Sequence, residues 1–577
     1  MAESSSSKTL HDGGRVLALA LKRQGVDYAF GIVGFPVIEL GSTLQDVGIK
    51  FIGMRNEQAA SYAASAIGYL TGRPAVCLTV SGPGLINALS GMANAKENSW
   101  PLIIIAGASD TDQDGMNAFQ EWPQVESCRL YAKFTARPDS VERIPFFVEK
   151  AVRTSICGRP GPVYLDMPGS LLNTQVDAST VWPTSVCSDP QRPLADPVNV
   201  EQACELLVKA ERPLVIIGKG AAYSRAETEI LQFVEQLGLP YLPSPMGKGV
   251  IPDNHPQCVI AARSKALQNA DVVVLLGARL NWILHFGLPP RYSGDVKVIQ
   301  VDICAEELHN NSKCCVGLHG DIKAVVKQMN LAPELQHYKF PATSLWWKTL
   351  KEKINLNMQV VAQSVNNESI PMNFYCAFNV VQKLLPKDCI IVSEGASTMD
   401  IGRSMLPNYL PRHRLDAGSF GTMGVGPGFA IAAALHCRDT EPNKRVVCVE
   451  GDSAIGFSIM ELETAARYKL PIVFIVMNNN GIGFGADSEL FDALTADSDA
   501  TIRLFSNPPF CPLSADMIKI IQALNCPGYL AKTPTDLDSA LRLCLQTTDR
   551  PSLVNVLIDP MAMRKQQEFE WLTRSNL

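Results

Sequence analysis

The segment around Asp452 constrains the fold more than any other part of the chain. Two short apolar runs, residues 445–450 and 471–477, flank a stretch whose apolar side chains recur at helical spacing. A strand, a helix and a second strand in this order predict a right-handed crossover that makes the two strands parallel. Asp452 follows the first strand and Asn479 the second, so both are expected at the carboxyl edge of a parallel sheet, where open α/β sheets bind ligands.

The residue types at this edge indicate a metal and phosphate site. Asp452 and Asn479 provide a carboxylate and an amide oxygen, and a backbone carbonyl lies nearby in the run 478–481. Three hard oxygen donors are too few to enclose an ion, but they suit Mg²⁺ that takes its other ligands from a diphosphate and water. Gly451 and the small Ser453 allow amide groups of the following helix to approach phosphate. An ordinary βαβ unit with Asp in one loop and Asn in the next is the alternative.

The length and composition exclude several classes of protein. A chain of 577 residues is too long for one core and indicates two to four domains. Its 46% apolar residues are typical of a folded protein, and its net charge of −6 argues against a nucleic-acid partner. No apolar run approaches the ~18 residues of a membrane-spanning helix, and the N-terminus lacks the apolar region of a signal peptide. Sixteen cysteines without a C-x-x-C pair predict a reducing compartment, with neither disulfides nor structural zinc.

Alternating strands and helices predict three α/β domains with parallel sheets. The expected limits are residues 1–180, 195–335 and 370–560, followed by a tail at 561–577. Segments at 169–195 and 330–368 lack apolar periodicity or are mostly polar, and we interpret them as linkers. Residues 63–84 and 430–453 share the order of Ala-rich helix, buried strand and glycine-containing loop, which indicates that the first and third domains are related modules.

Several polar residues outside this region have two interpretations each. Glu57 stands between a short strand and an Ala-rich helix, where it either stabilises the helix start or takes part in chemistry. The glycine-rich run 418–426 lacks the G-x-G-x-x-G register of a dinucleotide-binding loop. Lys219, Arg279 and Asp302 each follow a predicted strand of the second domain. They suit the phosphates and ribose of an adenosine diphosphate group, although a flavin or simple solvation would account for them as well.

Motifs along nearly the whole chain resemble one family. The GDS at 451–453 with the asparagines that follow resembles the diphosphate-and-metal motif of thiamine diphosphate enzymes. FGIVG-x-P, RNEQAA, VSGPG, GRPG-x-VYLD, PMGKG and SEGA are similar to segments of the 2-hydroxyacyl-CoA lyase family, whose nearest relatives are oxalyl-CoA decarboxylases. The resemblance implies an α/β fold of three doubly wound parallel-sheet domains, which bind the aminopyrimidine, coenzyme A and the diphosphate in that order. It also implies thiamine diphosphate and Mg²⁺ as cofactors.

The resemblance assigns a role to each matching residue. The metal ligands it implies are Asp452, Asn479 and the carbonyl of Gly481. Glu57 activates the cofactor through the aminopyrimidine ring, and Gln120 and Glu121 handle the substrate hydroxyl. The remaining cofactor contacts are Ala396, Ser397, Gly421, Met423, which wedges under the cofactor, Ser453, Ala454 and Ile482. The contacts to coenzyme A are Arg159, Lys219, Arg279, Asp302 and Ile322.

The implied reaction is the cleavage of 2-hydroxy fatty acyl-CoA to formyl-CoA and an aldehyde one carbon shorter, a step of fatty acid alpha-oxidation. Oxalyl-CoA decarboxylation is an alternative, but the decarboxylase has tyrosine where this chain has Gln120, which favours the lyase. A catalytically weakened protein of this fold is a second alternative, because Gly483 replaces a family tyrosine. Ser397, where Asn is usual, and Ser453, where Gly is more frequent, also depart from the family.

Partners and location follow from the same resemblance. In the family the first domain of one subunit meets the last domain of another, which implies a homodimer or homotetramer. The sequence ends in Ser575, Asn576 and Leu577, one residue different from the Ser-Lys-Leu peroxisomal signal. We therefore expect recognition by the peroxisomal import receptor, an acyl-CoA as the small-molecule partner, and no nucleic acid or membrane span.

Overall fold

The computed structural model describes residues 9–482 and 516–562, together with the single positions 489, 492, 493 and 496. Gly483 and the terminal Ser-Asn-Leu sequence lie outside the described residues, so the expectations for them stay predictions. The chain divides into two compact units. The first unit is Met1–Pro190 with Pro427–His436, and the second is Gln191–Gly426 with Cys437–Leu577.

The first unit is built on a six-stranded parallel sheet. Its strands, with the short β1 and β8 that pair with each other, are β1 (Leu10–Asp12), β2 (Tyr28–Gly31), β3 (Lys50–Gly53), β4 (Val76–Thr79), β5 (Leu102–Ala108), β6 (Thr135–Ala136), β7 (Pro162–Pro168) and β8 (Gln175–Asp177). The sheet order is β3-β2-β4-β5-β7-β6, and every pair in it is parallel. Strands β4, β5 and β7 are buried throughout, as expected for a sheet covered on both faces.

Helices connect these strands and cover the sheet. They are α1 (Gly13–Arg23), α2 (Ile38–Asp46), α3 (Glu57–Thr71), α4 (Pro83–Asn98), α5 (Gln124–Cys128), α6 (Ile144–Ile156) and α7 (Gly169–Asn173). Helix α3 is buried from Ala59 to Leu70, because its many alanines and glycine let α4 pack closely against it. Its first residue, Glu57, therefore stands on a helix with little freedom to move.

The second unit contains the central five-stranded parallel sheet. Its strands are β9 (Pro213–Ile217), β10 (Tyr241–Pro243), β11 (Val272–Leu276), β12 (Lys297–Asp302) and β13 (Val316–His319), in the order β10-β9-β11-β12-β13. Its helices are α8 (Pro197–Val208), α9 (Lys219–Tyr223), α10 (Glu227–Leu237), α11 (Arg263–Asn269), α12 (Ile322–Leu331) and α13 (Leu345–Val365). The strands predicted before Lys219, Arg279 and Asp302 are confirmed as β9, β11 and β12.

The second unit also contains the sheet that follows the central domain. Its strands are β14 (Ile390–Ser393), β15 (Arg414–Asp416), β16 (Val446–Gly451), β17 (Ile472–Asn478), β18 (Gly528–Ala531) and β19 (Ser552–Leu557). The described helices in this part of the chain are α14 (Phe374–Leu384), α15 (Ala396–Met405), α16 (Gly426–Thr440), α17 (Asp452–Gly456), α18 (Glu461–Arg467), α19 (Met517–Ala523) and α20 (Pro534–Gln546). Of these, α16 belongs mostly to the first unit, through Pro427–His436. The order β15-β14-β16-β17-β19-β18 repeats that of the first sheet strand for strand. The structure therefore confirms the α/β class and the parallel sheets, and the first and third modules share one strand order.

The interpretation of residues 330–368 as a linker is wrong. Helix α13 occupies most of this segment, and its first turn inserts Trp346 and Trp347 into the central core. The two indole nitrogens donate to the carbonyls of Pro213 and Gly238 at 3.0 and 3.1 Å. The buried residues of the helix, Trp346, Trp347 and Leu350, all lie in its first two turns, so the mostly polar character of the whole segment concealed this anchor.

The segment 169–195 is also more structured than predicted. It contains α7, and β8 pairs antiparallel with β1. Beyond β8, the segment is held by the side chain of Gln24. This side chain accepts from the Cys187 amide and donates to the Ser185 carbonyl, both at 2.8 Å. These partners lie more than 150 positions away in the sequence, so no local pattern could reveal them. Across the described residues, no helix combines the length and the apolar character needed to traverse a lipid bilayer.

Candidate active site

Three oxygen atoms converge where β16 and β17 end. These strands are adjacent and parallel, as predicted, which brings Asp452 and Asn479 to the same edge. The Asn479 side-chain oxygen lies 3.1 Å from the Gly481 carbonyl oxygen and 3.2 Å from Asp452 Oδ1. Oxygens bound to octahedral Mg²⁺ at about 2.05 Å lie about 2.9 Å apart when adjacent, close to this spacing. The arrangement fits a small divalent cation, although a rotated Asn479 amide could instead donate to both oxygens.

The electrostatics of Asp452 agree with such a site. The side chain is 2% exposed, and burial raises its pKa to about 6. A buried carboxylate is stabilised by a cation, and Oδ2 already accepts from the Gly481 amide at 3.1 Å, which fixes the loop. Within the described ranges, no cluster of three or more His, Cys, Asp or Glu side chains competes as a metal site. The donor set is therefore one carboxylate and two neutral oxygens, which suits an ion that keeps ligands from a phosphate.

Small residues surround this edge and leave room for a phosphate. Ser453 and Ala454 open α17, and the buried Ser453 hydroxyl has no hydrogen-bond partner in the described part of the chain. A Cβ on Gly395 would lie 3.2 Å from the Gly451 amide, so the start of α15 approaches the Asp452 loop closely. Ala396 and Ser397 open α15 directly after Gly395, and their contact with a cofactor stays a prediction.

The crossover after Asp452 differs from the sequence prediction in its helix. A single helix over 457–470 is expected from the spacing, but the helix observed in this range, α18, covers only Glu461–Arg467, and the short α17 precedes the range. The two are separated by Phe457 and Met460, which are both more than half exposed. Ile482, another expected cofactor contact, is also exposed at the end of the described segment.

A buried glutamate anchors the glycine-rich loop before α16. Glu394 accepts from the amide of Gly424 and, at 2.6 Å, from that of Gly426. Burial raises the Glu394 pKa to about 7. We expected the SEGA segment to lie beside the diphosphate, but Glu394 is fully buried and turns to the loop that carries Gly421 and Met423. A role in holding this loop was missed, because its partners are backbone amides thirty residues away.

A second buried carboxyl, Glu450, lies on the other side of Gly426. A Cβ on Gly426 would lie 2.6–2.9 Å from the Glu450 carboxyl atoms, so only glycine fits between the two glutamates. Burial, followed by the charge of Glu394, raises the Glu450 pKa well above its usual range, and Cys448 donates to Glu450 at 2.9 Å. The two carboxyls fix the start of α16 and with it the position of Met423, which is half-buried.

In the first unit, Glu57 occupies the first position of α3. Asn56 caps the helix by accepting from the Gln58 amide at 2.7 Å. The Asn87 side chain donates to Glu57 Oε2 at 3.2 Å, and a Cβ on Gly84 would lie 3.4 Å from Oε1. The glutamate is half-buried and held in one place. Both interpretations from the sequence, a helix-start charge and a chemical role, are compatible with this position.

The loop between β5 and α5 presents Gln120 and Glu121. Gln120 has a φ of 56°, and its carbonyl oxygen lies 2.5 Å from where a Cβ on Gly82 would be. Glu121 accepts from the amides of Gly115 and Ala118, and these hydrogen bonds lower its pKa. The structure therefore brings Gln120 close to the Gly82 turn. The Glu121 carboxylate instead stabilises its own loop through hydrogen bonds from two backbone amides of that loop.

Two of the expected coenzyme A contacts share one cleft of the second unit. Lys219 begins α9 and Arg279 follows β11, and both line a cleft with Ser244 and Ser419. Arg279 donates to Ser419 Oγ at 3.1 Å, and Trp282 donates to the Ser419 carbonyl at 2.6 Å. The function of the 281–286 segment was not predicted, and the structure shows that it contacts the loop leading to Gly421.

The other expected contacts occupy different positions. Asp302 ends β12, is mostly buried, and accepts from the Cys304 amide at 2.9 Å. Ile322 opens α12 with its side chain inside the central core, so only its backbone faces a ligand. Arg159 lies in the first unit, where its carbonyl accepts from Lys133 at 2.7 Å. Lys219, Arg279, Asp302 and Ile322 follow four neighbouring strands and share one edge of the central sheet.

Comparisons with known proteins agree with this geometry. Three family models match: thiamine pyrophosphate enzyme N-terminal binding domain at residues 11–127, central domain at 200–329, and C-terminal binding domain at 394–556. The chain is 56% identical to 2-hydroxyacyl-CoA lyase 1 of Homo sapiens over 566 residues, 98% of this chain and 97% of the relative. It is 40% identical to 2-hydroxyacyl-CoA lyase of Arabidopsis thaliana, with 96% of each chain covered. It is 38% identical to oxalyl-CoA decarboxylase of Escherichia coli K12, covering 96% of this chain and 95% of the relative.

Proposed function

The chain belongs to the thiamine pyrophosphate enzymes and, among them, to the 2-hydroxyacyl-CoA lyase family, and we propose that it cleaves 2-hydroxy fatty acyl-CoA. The products are formyl-CoA and an aldehyde shortened by one carbon, as in fatty acid alpha-oxidation. Identity of 56% to a 2-hydroxyacyl-CoA lyase against 38% to an oxalyl-CoA decarboxylase supports this reaction over decarboxylation. Gln120, where the decarboxylase has tyrosine, points the same way.

The single observation that carries the proposal is the convergence of oxygens at Asp452. Asp452, Asn479 and the Gly481 carbonyl would hold Mg²⁺, with the diphosphate completing its ligands. Ser453 and Ala454 leave a hydroxyl and backbone amides for the phosphate oxygens. When bound, thiamine diphosphate supplies a nucleophilic carbon and an acceptor for the electron pair released by carbon–carbon cleavage. The residues of the chain bind the cofactor and the substrate, orient them, and donate or accept protons.

Proton handling falls to residues of the first unit. Glu57 would hold a proton toward the aminopyrimidine ring, and Asn87 keeps its carboxyl in place through the other oxygen. Gln120 would hydrogen-bond the substrate hydroxyl, whose proton must leave when the carbon–carbon bond breaks. Glu121 accepts two amide hydrogen bonds and has a lowered pKa, so we assign it to shaping the loop that presents Gln120.

Recognition of coenzyme A falls to the central sheet. Lys219 and Arg279 would meet the phosphates, Asp302 the ribose or base, and Ile322 would contribute its backbone. Arg159 completes the proposed set. The reaction transfers no electrons to an acceptor, so the flavin alternative for this surface has no role in it.

Assembly, location and domain limits remain parts of the same proposal. We place the functional domains at residues 1–180, 195–335 and 370–560, with a signal in the tail at 561–577. A homodimer or homotetramer is proposed because, in the family, the first domain of one subunit meets the last domain of another. Import into peroxisomes rests on the Ser-Asn-Leu sequence and on the family relationship.

The proposal is tested by following carbon in one reaction. Purified protein is incubated with thiamine diphosphate, Mg²⁺ and a 2-hydroxyacyl-CoA labelled at C1, with oxalyl-CoA in a parallel reaction, and products are identified by mass spectrometry. We expect the label in formyl-CoA and an unlabelled aldehyde one carbon shorter. Efficient conversion of oxalyl-CoA to formyl-CoA and CO₂, without cleavage of the hydroxyacyl substrate, would favour the decarboxylase instead.

A further inference from the structure

The loop that presents Gln120 is fixed by a buried side chain, Gln124. Gln124 is 2% exposed and joins the ends of three strands. Its Oε1 accepts from the Gly82 amide at 2.7 Å, and its Nε2 donates to the Gly107 carbonyl at 2.8 Å and to Asp166 at 2.7 Å. Gly82 is also the residue whose Cα faces the Gln120 carbonyl. Gln124 therefore holds the surface against which Gln120 rests.

Asp166 connects this contact to the far side of the same loop. Its carboxylate is fully buried and accepts from Gln124, from the Tyr164 hydroxyl and from Arg137 Nε. Arg137 Nη1 then donates to Asp114, which lies in the loop six residues before Gln120. One buried carboxylate thus reaches both ends of the loop, through an amide on one side and a guanidinium on the other.

The chemistry of these groups fits positioning more than proton transfer. Asp166 accepts from three donors, and burial, followed by the charge of Asp166, raises the Tyr164 pKa well above its usual range. A buried network in which every member is bonded is rigid, and removal of one member leaves the others with unsatisfied polar groups. The left-handed φ of Gln120 is a strained conformation that persists only where the surrounding contacts fix it.

We propose that Gln124, Asp166 and Arg137 form a positioning unit that sets the location of Gln120, and so controls the turnover step. The inference rests on the proposed function, because Gln120 is assigned there to the substrate hydroxyl. The three residues are not among the cofactor and metal contacts assigned above, and their side chains bond to protein groups. They act through the backbone of Gly82 and through Asp114.

The decisive variant changes the loop side of the network. Asp114 is 43% exposed, so Asp114→Asn removes the ionic contact to Arg137 without opening the core. Arg137→Gln and Asp166→Asn test the buried side, and Arg137→Lys tests partial rescue. Arg153→Gln is the matched control, because Arg153 forms a surface pair with Glu149 on α6 of the same unit. All variants are assayed as full-length protein loaded with thiamine diphosphate and Mg²⁺.

Two readouts separate positioning from general stability. We expect Asp166→Asn to lower kcat about 100-fold, since a misplacement near 1 Å has effects of that size, with KM and cofactor affinity changed less than about threefold. Hydrogen exchange should accelerate in residues 110–123 and not in the first sheet. Asp114→Asn and Arg137→Gln should be non-additive in kcat, because they remove the same contact. Arg137→Lys should recover part of the loss.

The opposing results are equally definite. Wild-type kcat in Asp114→Asn and Arg137→Gln, or a loss no larger than in Arg153→Gln, would overturn the positioning unit. If Asp166→Asn does not fold, the kcat values of Asp114→Asn and Arg137→Gln alone test the proposal. If the wild-type enzyme fails to make formyl-CoA, the proposed function fails, and unchanged hydrogen exchange of residues 110–123 in Asp114→Asn would separately refute the positioning unit.

Discussion

Replacement of Gly82 by alanine would test how closely the site depends on one backbone contact. Gly82 has a φ of 58°, and an added Cβ would lie 2.5 Å from the Gln120 carbonyl oxygen. Alanine at positive φ is disfavoured by about 1–2 kcal/mol. Relief of the close contact, by analogy with overpacked cores, adds about 1–3 kcal/mol. We therefore expect Gly82→Ala to lower the free energy of unfolding by about 2–5 kcal/mol.

The chain provides a matched control in the same unit. Gly25 has a φ of 79°, and nothing lies within 4 Å of its hypothetical Cβ. Gly25→Ala also places alanine at a positive φ and has the same loss of unfolded-state freedom, so the difference between the two variants reports the contact with Gln120 together with the strain of the ψ of −108° at Gly82. That difference should be about 1–3 kcal/mol by denaturant unfolding.

Activity should separate the two variants further. The contact can only be relieved if the Gln120 backbone moves, so Gly82→Ala should lose kcat in the formyl-CoA assay, while Gly25→Ala keeps it. Equal free energies of unfolding and equal kcat values for Gly82→Ala and Gly25→Ala would refute this prediction. The Gln120 backbone could then move away from the added Cβ without a loss of stability or activity.

Further predictions concern the metal, the cofactor, coenzyme A and pH. Asp452→Ala should abolish retention of Mg²⁺ and thiamine diphosphate in calorimetry, because a buried ligand is lost; normal affinity would contradict the metal site. Glu57→Gln should keep the cofactor bound yet lower kcat roughly 10²–10⁴-fold, and wild-type kcat would leave Glu57 as a helix-start charge. Lys219→Ala and Arg279→Ala should each raise the KM for acyl-CoA about 10- to 150-fold without changing cofactor affinity, and unchanged KM in both would remove coenzyme A from this cleft. Burial raises the Glu394 pKa to about 7, so the folded protein keeps a proton that the unfolded chain has released by pH 5–6. Between pH 5 and 7 the wild type should therefore lose more stability with rising pH than Glu394→Gln, and parallel stability curves would argue against this titration.

The prediction from sequence succeeded where the pattern is local and strongly periodic. The apolar runs beside Asp452 and Asn479 gave two parallel strands and the position of both side chains at one edge. The glycines of PMGKG illustrate a motif whose reason appears only in three dimensions. A Cβ on Gly249 would lie 2.1 Å from the Leu410 carbonyl oxygen, and Lys248 forms a buried pair with Asp253 at 2.6 Å. The motif is a packing contact inside the second unit.

Two of the misses share one physical cause, which is long sequence separation. Glu394 acts on amides thirty positions away, and Gln124 acts on Gly82 across forty-two. Buried polar groups are satisfied by whatever backbone the fold brings near, and a single sequence does not show that pairing. Helix α13 was missed for a different reason, because its buried residues, Trp346, Trp347 and Leu350, are confined to its first two turns and the rest of the helix has no buried face.

The identical strand order of the outer two sheets suggests descent from one duplicated ancestor. Strand for strand, the turn at Gly82 after β4 corresponds to the turn at Asp452 after β16, and the Gln120 loop after β5 corresponds to the Asn479 loop after β17. In the third module a hydrogen bond joins the two loops, because Asp452 accepts from the Gly481 amide. In the first module Gln124 accepts from the Gly82 amide in the same way. The two copies diverged in loop chemistry while the strands kept their places. The loops are therefore the natural units to exchange when the substrate range of such an enzyme is altered. The same strand order already carries two different sets of loops, one on each outer sheet.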